Sequence, residues 1–369
     1  MNLVKRTICT MLIVLLAFSS IQVYANNANE SPLAAPNVDS FYHTVLESKG
    51  FNGTYQTLDL YNENEVIQWR MYFDSSSYLI LDISNGEVME YGFDCIVPFS
   101  NFKDEKPYYG GPLCYYIKTE DKYFSINEDK YYTTSPKIKG VILTETSGES
   151  VLQNNLNYQT DQVYASAASL IRTVSVSSPL SIQRQAFGNN VNGTCSAVAT
   201  SIVLTYLNRT RSAWYVPNST YMSENLIGTT YSSTSYAKAQ KLHLLLISCG
   251  MGTMSYADGI RNPVNTYKSQ HLPNTTVSVD WRLFRSNPTY ITNQIDNNIP
   301  GMITTTLFTG GYDWHTMAVY GYKYFSDGSY DFLIHTGWYS SVVNSTSGYI
   351  MPKIYVPSNY ETYMYKFNI

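Results

Sequence analysis

Cys195 stands between a turn-forming run and a helix-like run in NNVNGTCSAVATSIVLTYLNRT, residues 189–210. A thiol attacks as its thiolate, and its pKa falls at a helix N-terminus or beside an imidazolium. Asn192-Gly193-Thr194 supplies a turn. Apolar residues then recur at Val198, Ile202 and Tyr206, and again at Ala199, Val203 and Leu207. Helical spacing on nearly two faces predicts a largely buried helix starting right after the cysteine, with the positive end of its dipole facing the sulfur. A packing cysteine at a helix start has the same local sequence, so a second group must decide.

That group lies 120 residues downstream, in YDWHTMAVYGYKYFSDGSYDFLIHTGWYSS. His315 opens one strand-like run and His335 closes the next, with Ser326-Asp327-Gly328 between them. A two-residue turn centred on Asp327-Gly328 would pair His335 with Tyr320, roughly 17 Å along the strand from His315. A wider loop or bulges must recentre the hairpin near Phe325 for the two histidines to meet; otherwise Asp313 or Asp331 becomes the candidate third member. The remaining histidines have weaker patterns: His243, in LHLLLIS, reads as a core or rim residue, and His43 and His271 lack partners.

Cysteine, helix, strand-opening histidine and His335-Thr336-Gly337-Trp338, in that order over roughly residues 180–345, resemble the papain-like cysteine peptidases, particularly the bacterial streptopain-like and bacteriocin-processing types. The resemblance implies an α+β domain with a central helix packed on an antiparallel sheet. Cys195 matches the nucleophile and His315 the general base and acid. His335 occupies the place of the family's orienting Asn, where an imidazole can still accept a hydrogen bond. The family's oxyanion Gln, six residues before the cysteine, is replaced by Asn189, with Gln185 four residues earlier as the other candidate. Trp338 matches an aromatic that shields the catalytic hydrogen bond. No metal or organic cofactor is implied, and the substrate would be a protein or peptide. The same fold serves cell-wall amidases, transglutaminase-like enzymes and non-catalytic secreted binding proteins.

The rest of the chain sets the context. Lys5 and Arg6, the apolar TMLIVLLAF and the small-residue VYA read as a secretory signal peptide, residues 1–25. An extracellular protein without stable membrane insertion is therefore expected, since no later run holds ~18 uninterrupted apolar residues. Cys9 leaves with the signal. Cys95 and Cys114 are candidates for a bridge or for free thiols, and Cys249 reads as a small buried residue. A net charge of -4 with 14% charged residues carries no basic excess, which argues against a nucleic-acid partner. The sequon-like Asn192-Gly193-Thr194 beside the thiol favours a bacterial source.

Residues 26–145 alternate in short runs such as VIQWRMYF and SYLILDIS, separated by turn signals, and predict a β-rich domain. Residues 146–178 are small and polar and read as a linker, with a helix near Ala165–Ile171. The catalytic domain then spans 179–369. By the resemblance, the N-terminal domain would be a propeptide acting as an intramolecular inhibitor, making the protein a zymogen, or else a permanent accessory domain.

Overall fold

The computed structural model describes residues 38–132, 168–223, 233–305, 315–337 and 353–369, apart from 52–53, 63, 85, 103, 121, 127–129, 189, 191–192, 254, 284–287 and 359–360. The expected signal peptide and most of the expected linker lie outside the described residues. Two compact units result, residues 1–47 and 48–369. The helices are α1 (Val38–Lys49), α2 (Pro179–Gln183), α3 (Cys195–Thr210), α4 (Ser233–Ser248), α5 (Asp258–His271) and α6 (Thr289–Asp296). None among the described residues is long and apolar enough to cross a membrane.

The protein is α+β, with a large and mostly antiparallel sheet. The N-terminal strands are β1 (Gln56–Tyr61), β2 (Ile67–Phe73), β3 (Tyr78–Asp82), β4 (Val88–Phe93), β5 (Lys106–Tyr109), β6 (Tyr115–Thr119), β7 (Lys122–Ser125) and β8 (Lys130–Tyr132). They follow from period-2 alternation cut by turns, as in Asp74, whose carboxylate caps the amides of Ser76 and Ser77. Leu60, Trp69, Met71, Tyr78, Ile80, Tyr109, Tyr115 and Ile117 form the core here. At its centre Glu90 is fully buried and accepts from the hydroxyls of Tyr78, Tyr109 and Tyr115 and from the amide of Leu113. The tyrosine richness thus has one structural use: a phenol offers apolar area and a donor to a buried carboxylate.

The remaining strands are β9 (Leu170–Ser175), β10 (Ser278–Leu283), β11 (Gly301–Thr305), β12 (His315–Phe325), β13 (Tyr330–His335), β14 (Lys353–Pro357) and β15 (Glu361–Asn368). Strand order is β10-β15-β11-β12-β13-β14-β4-β3-β2-β1-β5-β6-β7-β8, with β9 also paired to β12. Only β1–β5 pairs in parallel among the described ladders. The expected boundary between two domains is therefore crossed by one ladder: β14 pairs β4, and Tyr355 stacks on Tyr91 with ring centroids 4.9 Å apart. Asp331 reinforces the joint, accepting from Lys49 at 2.6 Å and from the Tyr91 hydroxyl at 2.9 Å. One expectation is corrected at β9. Leu170 and Ile171, expected in a helix, belong to a strand whose partner, the edge of β12, lies 150 residues away.

As the two-faced apolar pattern predicts, α3 is buried from Cys195 to Leu207. Its polar residues are accommodated locally: Ser201 and Thr205 donate to the carbonyls of Val198 and Ser201, and Thr200 reaches the Met302 sulfur on β11 at 3.5 Å. The pleat that turns Met302 toward α3 also turns Thr304, Thr316, Ala318 and His335 that way, since these are cross-strand or i,i+2 neighbours.

Candidate active site

Cys195 begins α3, and its sulfur meets the first residues of β12. The Thr316 amide donates to Cys195 Sγ at 3.3 Å, while the thiol points toward the Gly193 carbonyl at 3.9 Å. His315 is therefore the chain neighbour of the group that holds the sulfur. Its Nε2 lies 2.6 Å from the Thr336 carbonyl. A carbonyl only accepts, so Nε2 carries the proton and Nδ1 is left as the basic nitrogen.

Both members are buried, Cys195 to 3% and His315 to 4% exposure. Burial raises the Cys195 thiol pKa, against the lowering by Thr316 on β12 and by the Ser196 and Cys195 amides at the helix start. It also lowers His315 to about 4, against the raising by Thr336. In this arrangement the pair is neutral thiol and neutral imidazole.

The hairpin recentres by two physical devices. Ser326, Asp327 and Gly328 make a three-residue loop closed by Phe325 and Ser329, with Gly328 at φ +86° and Asp327 capping the Ser329 amide. A bulge between Val319 and Gly321 then shifts the register again, so that His335 pairs Ala318 rather than Tyr320. His335 ends three residues, or about 10 Å of strand rise, from His315. The group that the structure places on His315 Nε2 is the carbonyl of Thr336, the next residue. His335 Nδ1 instead accepts from the Gly337 amide at 3.1 Å, and its ring stands edge-on to Phe187 with centroids 5.0 Å apart. Burial lowers its pKa to about 3. Asp331, the reserve candidate, belongs to the Lys49–Tyr91 joint.

Gln185, the other oxyanion candidate, is engaged elsewhere among its neighbours. Its amide donates to the Ala186 carbonyl and to Ser223 Oγ, and accepts from Arg209. Arg209 is fourteen residues along α3, about 21 Å of helix rise from Cys195, so this amide serves the far end of the helix. Asn189, Trp338 and Asp313 lie outside the described residues.

His243 is the residue that sequence reasoning undervalued. From α4 its Nε2 meets Thr194 Oγ1 at 3.0 Å, on the residue immediately before the nucleophile candidate. Gly188 backs onto the ring so closely that a Cβ there would sit 2.6 Å from Nδ1. Burial lowers His243 to about 4. No local signal joins the Leu-rich α4 to Thr194; the contact is purely tertiary. Around the same spot, buried polar atoms lack a hydrogen-bond partner among the described residues: Ser196 Oγ, His243 Nδ1, Thr305 Oγ1 opposite His315, and His335 Nε2. Such gaps cost stability. Others occur away from the thiol, at Trp69 Nε1, Tyr108 Oη and Ser181 Oγ, so they support a site here only alongside the Cys195–Thr316 contact.

No disulfide joins the described cysteines, which include Cys95 and Cys114. The described residues contain no group of three or more metal-ligating side chains.

No family model matches the chain, and no curated protein matches it. Among solved structures, it is similar to the Amb a 11 cysteine protease, a major ragweed pollen allergen, in its proform, at TM-score 0.25 and 12% identity, covering 54% of this chain and 68% of that one. The candidate site accordingly stands on the side chains of this chain.

Proposed function

We propose that this protein is an exported cysteine peptidase made in a latent form. The observation that carries the reading is the meeting of a helix-starting thiol with the head of a strand opened by His315, whose proton is tied to Nε2. His315 Nδ1 takes the Cys195 proton as Sγ bonds to the substrate's carbonyl carbon. The nitrogen leaves with that proton as a free amine, and a thioester remains. Water then gives a proton to Nδ1 and its oxygen to the acyl carbon, releasing the acid and restoring the thiol. The oxyanion is held by the Cys195 amide, with Asn189 as the side-chain candidate, a contribution of about 3 kcal/mol. Thr336 is the orienting residue, through its carbonyl, and His335 supports the strand end.

Burial of both groups supports latency: the neutral pair must be uncovered before it can ionise and admit substrate. The N-terminal strands, joined through β4 to β14, are the proposed inhibitory module, and the linker 146–178 the proposed processing region. Burial at 3% also favours one rival, a non-catalytic binding protein. Digestion of casein by wild type and Cys195→Ala, each folded by circular dichroism, separates the two. We expect a loss of at least about a thousandfold in the variant. Equal digestion by both overturns the nucleophile, and digestion of peptidoglycan instead of casein moves the reading to an amidase.

A further inference from the structure

At the other end of α3, about 24 Å of helix rise from Cys195, the chain builds a second concave surface with different chemistry. The loop after α3 and the C-terminal end of α5 enclose an open cavity of 570 Å³. Trp214 lines it with 64% of its surface exposed, the most exposed of the large apolar side chains among the described residues. Its neighbours Tyr215 and Val216 are buried, so the loop turns one aromatic outward while anchoring the next two residues inward.

The backbone around that indole is held firmly. Thr275 Oγ1 donates to the Trp214 carbonyl at 2.7 Å. Asn208 Oδ1 accepts from the Tyr215 and Val216 amides at 2.8 and 2.9 Å, and the Tyr267 hydroxyl donates to the Tyr215 carbonyl at 2.9 Å. An exposed indole on a backbone held this way is a partly preorganised stacking surface, because the loop has little freedom left to lose on binding. Around it stand Asn218, Ser219, His271 and Asn274. Asn218 uses its carbonyl oxygen on the Thr220 amide, which leaves its NH2 for a ligand. No Lys, Arg, Asp or Glu lines the cavity among the described residues.

We propose that this cavity binds a neutral saccharide. A pyranose offers a flat C–H face to stack on Trp214 and hydroxyls that both donate and accept, which is what amides, a hydroxyl and an imidazole recognise together. A charged ligand would find no counter-charge here, and a purely apolar one would strand the polar rim. The volume lies within the range of small-molecule sites, which is about 300–1,000 Å³. A proline-rich peptide also stacks on tryptophan, but its docking uses an aromatic-lined groove, and this cavity holds a single aromatic. The inference does not depend on the peptidase reading; a sugar site far from the thiol would hold the protein on a glycosylated surface whatever Cys195 does.

The test is titration of the full-length protein with maltotriose, cellotriose, mannotriose and N-acetylchitotriose, followed by tryptophan fluorescence and calorimetry, with a proline-rich decapeptide as the competing class. At least one sugar should bind saturably, and Trp214→Ala should weaken it at least about tenfold. Asn274→Ala, on an exposed side chain, should weaken it about threefold, and circular dichroism should show both variants folded. The proposal is overturned if no sugar binds up to about 10 mM, if binding is unchanged in folded Trp214→Ala, or if only the peptide binds through Trp214.

Discussion

The N-terminal sheet around Glu90 and the region around Cys195 both bury ionisable groups, and they treat them in opposite ways. Glu90 is surrounded by three phenols and a backbone amide, so a buried carboxyl has every partner it needs. Around Cys195 the donors and acceptors fall short, at Ser196, His243, Thr305 and His335. A satisfied polar cluster specifies and rigidifies a core; an unsatisfied one is a cost that folding alone does not explain. The contrast holds between the two clusters, not the whole regions, since the N-terminal sheet also leaves Trp69 Nε1 and Tyr108 Oη without a partner among the described residues; we assign stability to the Glu90 cluster and chemistry to the one around Cys195.

The sharpest way to break that contrast is at the imidazole. His315→Ala should lower peptide turnover about a thousandfold while the protein keeps its fold and its melting temperature within a few degrees. A variant that unfolds, or that turns over substrate normally, would make His315 a structural residue like Glu90. Conversely, Glu90→Ala removes the acceptor that four donors share in the N-terminal core and should destabilise the protein by about 3 kcal/mol in urea denaturation. A negligible loss there would remove the distinction from the other side.

Acid and base should separate the regions further. His243, His315 and His335 hold folded pKa values of about 4, 4 and 3, against 6.5 when unfolded. The unfolded chain therefore binds more protons below pH 6.5, and the histidine region loses stability as pH falls from 6.5 toward 4. Burial raises Glu90 to about 7 from 4.5. Its contribution is fully present below pH 4.5 and is lost as pH rises through about 7. Hydrogen exchange across pH 4 to 8 should show α3 and β12–β13 loosening at the acid end and β3–β4 and β6 at the neutral to alkaline end, with Glu90→Gln flattening the latter. Loosening of both at the same end would contradict the assignment.

A smaller effect is expected at His335. His335→Asn should keep turnover within about threefold, because the Thr336 carbonyl still orients His315. His335→Ala should cost stability through a cavity, about 2 kcal/mol, with turnover per folded molecule unchanged. Loss of turnover in both folded variants would restore His335 to the catalytic group.

What was legible in the sequence was local. The two-faced spacing from Val198 to Leu207 identified α3, and alternation identified β1 to β4 and the β12–β13 hairpin. The misreadings all involve distant partners or one-residue offsets. β9 carries a mostly exposed face and has no alternation to announce it; β12 makes it a strand. The three-residue loop and the bulge at Tyr320 each move His335 one residue closer to His315, which still leaves it three residues short, and the Thr336 carbonyl meets His315 instead. The β4–β14 ladder, which fuses the two expected domains into one sheet, rests on contacts more than 250 residues apart. His243 meets Thr194 by the same kind of long-range packing.

The central claim is that Cys195 is a nucleophile activated by His315 and covered in the described arrangement. Full-length protein, and protein nicked within the 146–178 linker, should each be treated briefly with an alkylating epoxide at neutral pH and mapped by peptide mass spectrometry. The account predicts that the adduct falls on Cys195, faster in the nicked form, and that His315→Ala slows it at least about tenfold. Labelling of Cys195 no faster than Cys249 in both forms, or labelling unchanged in His315→Ala, would contradict it.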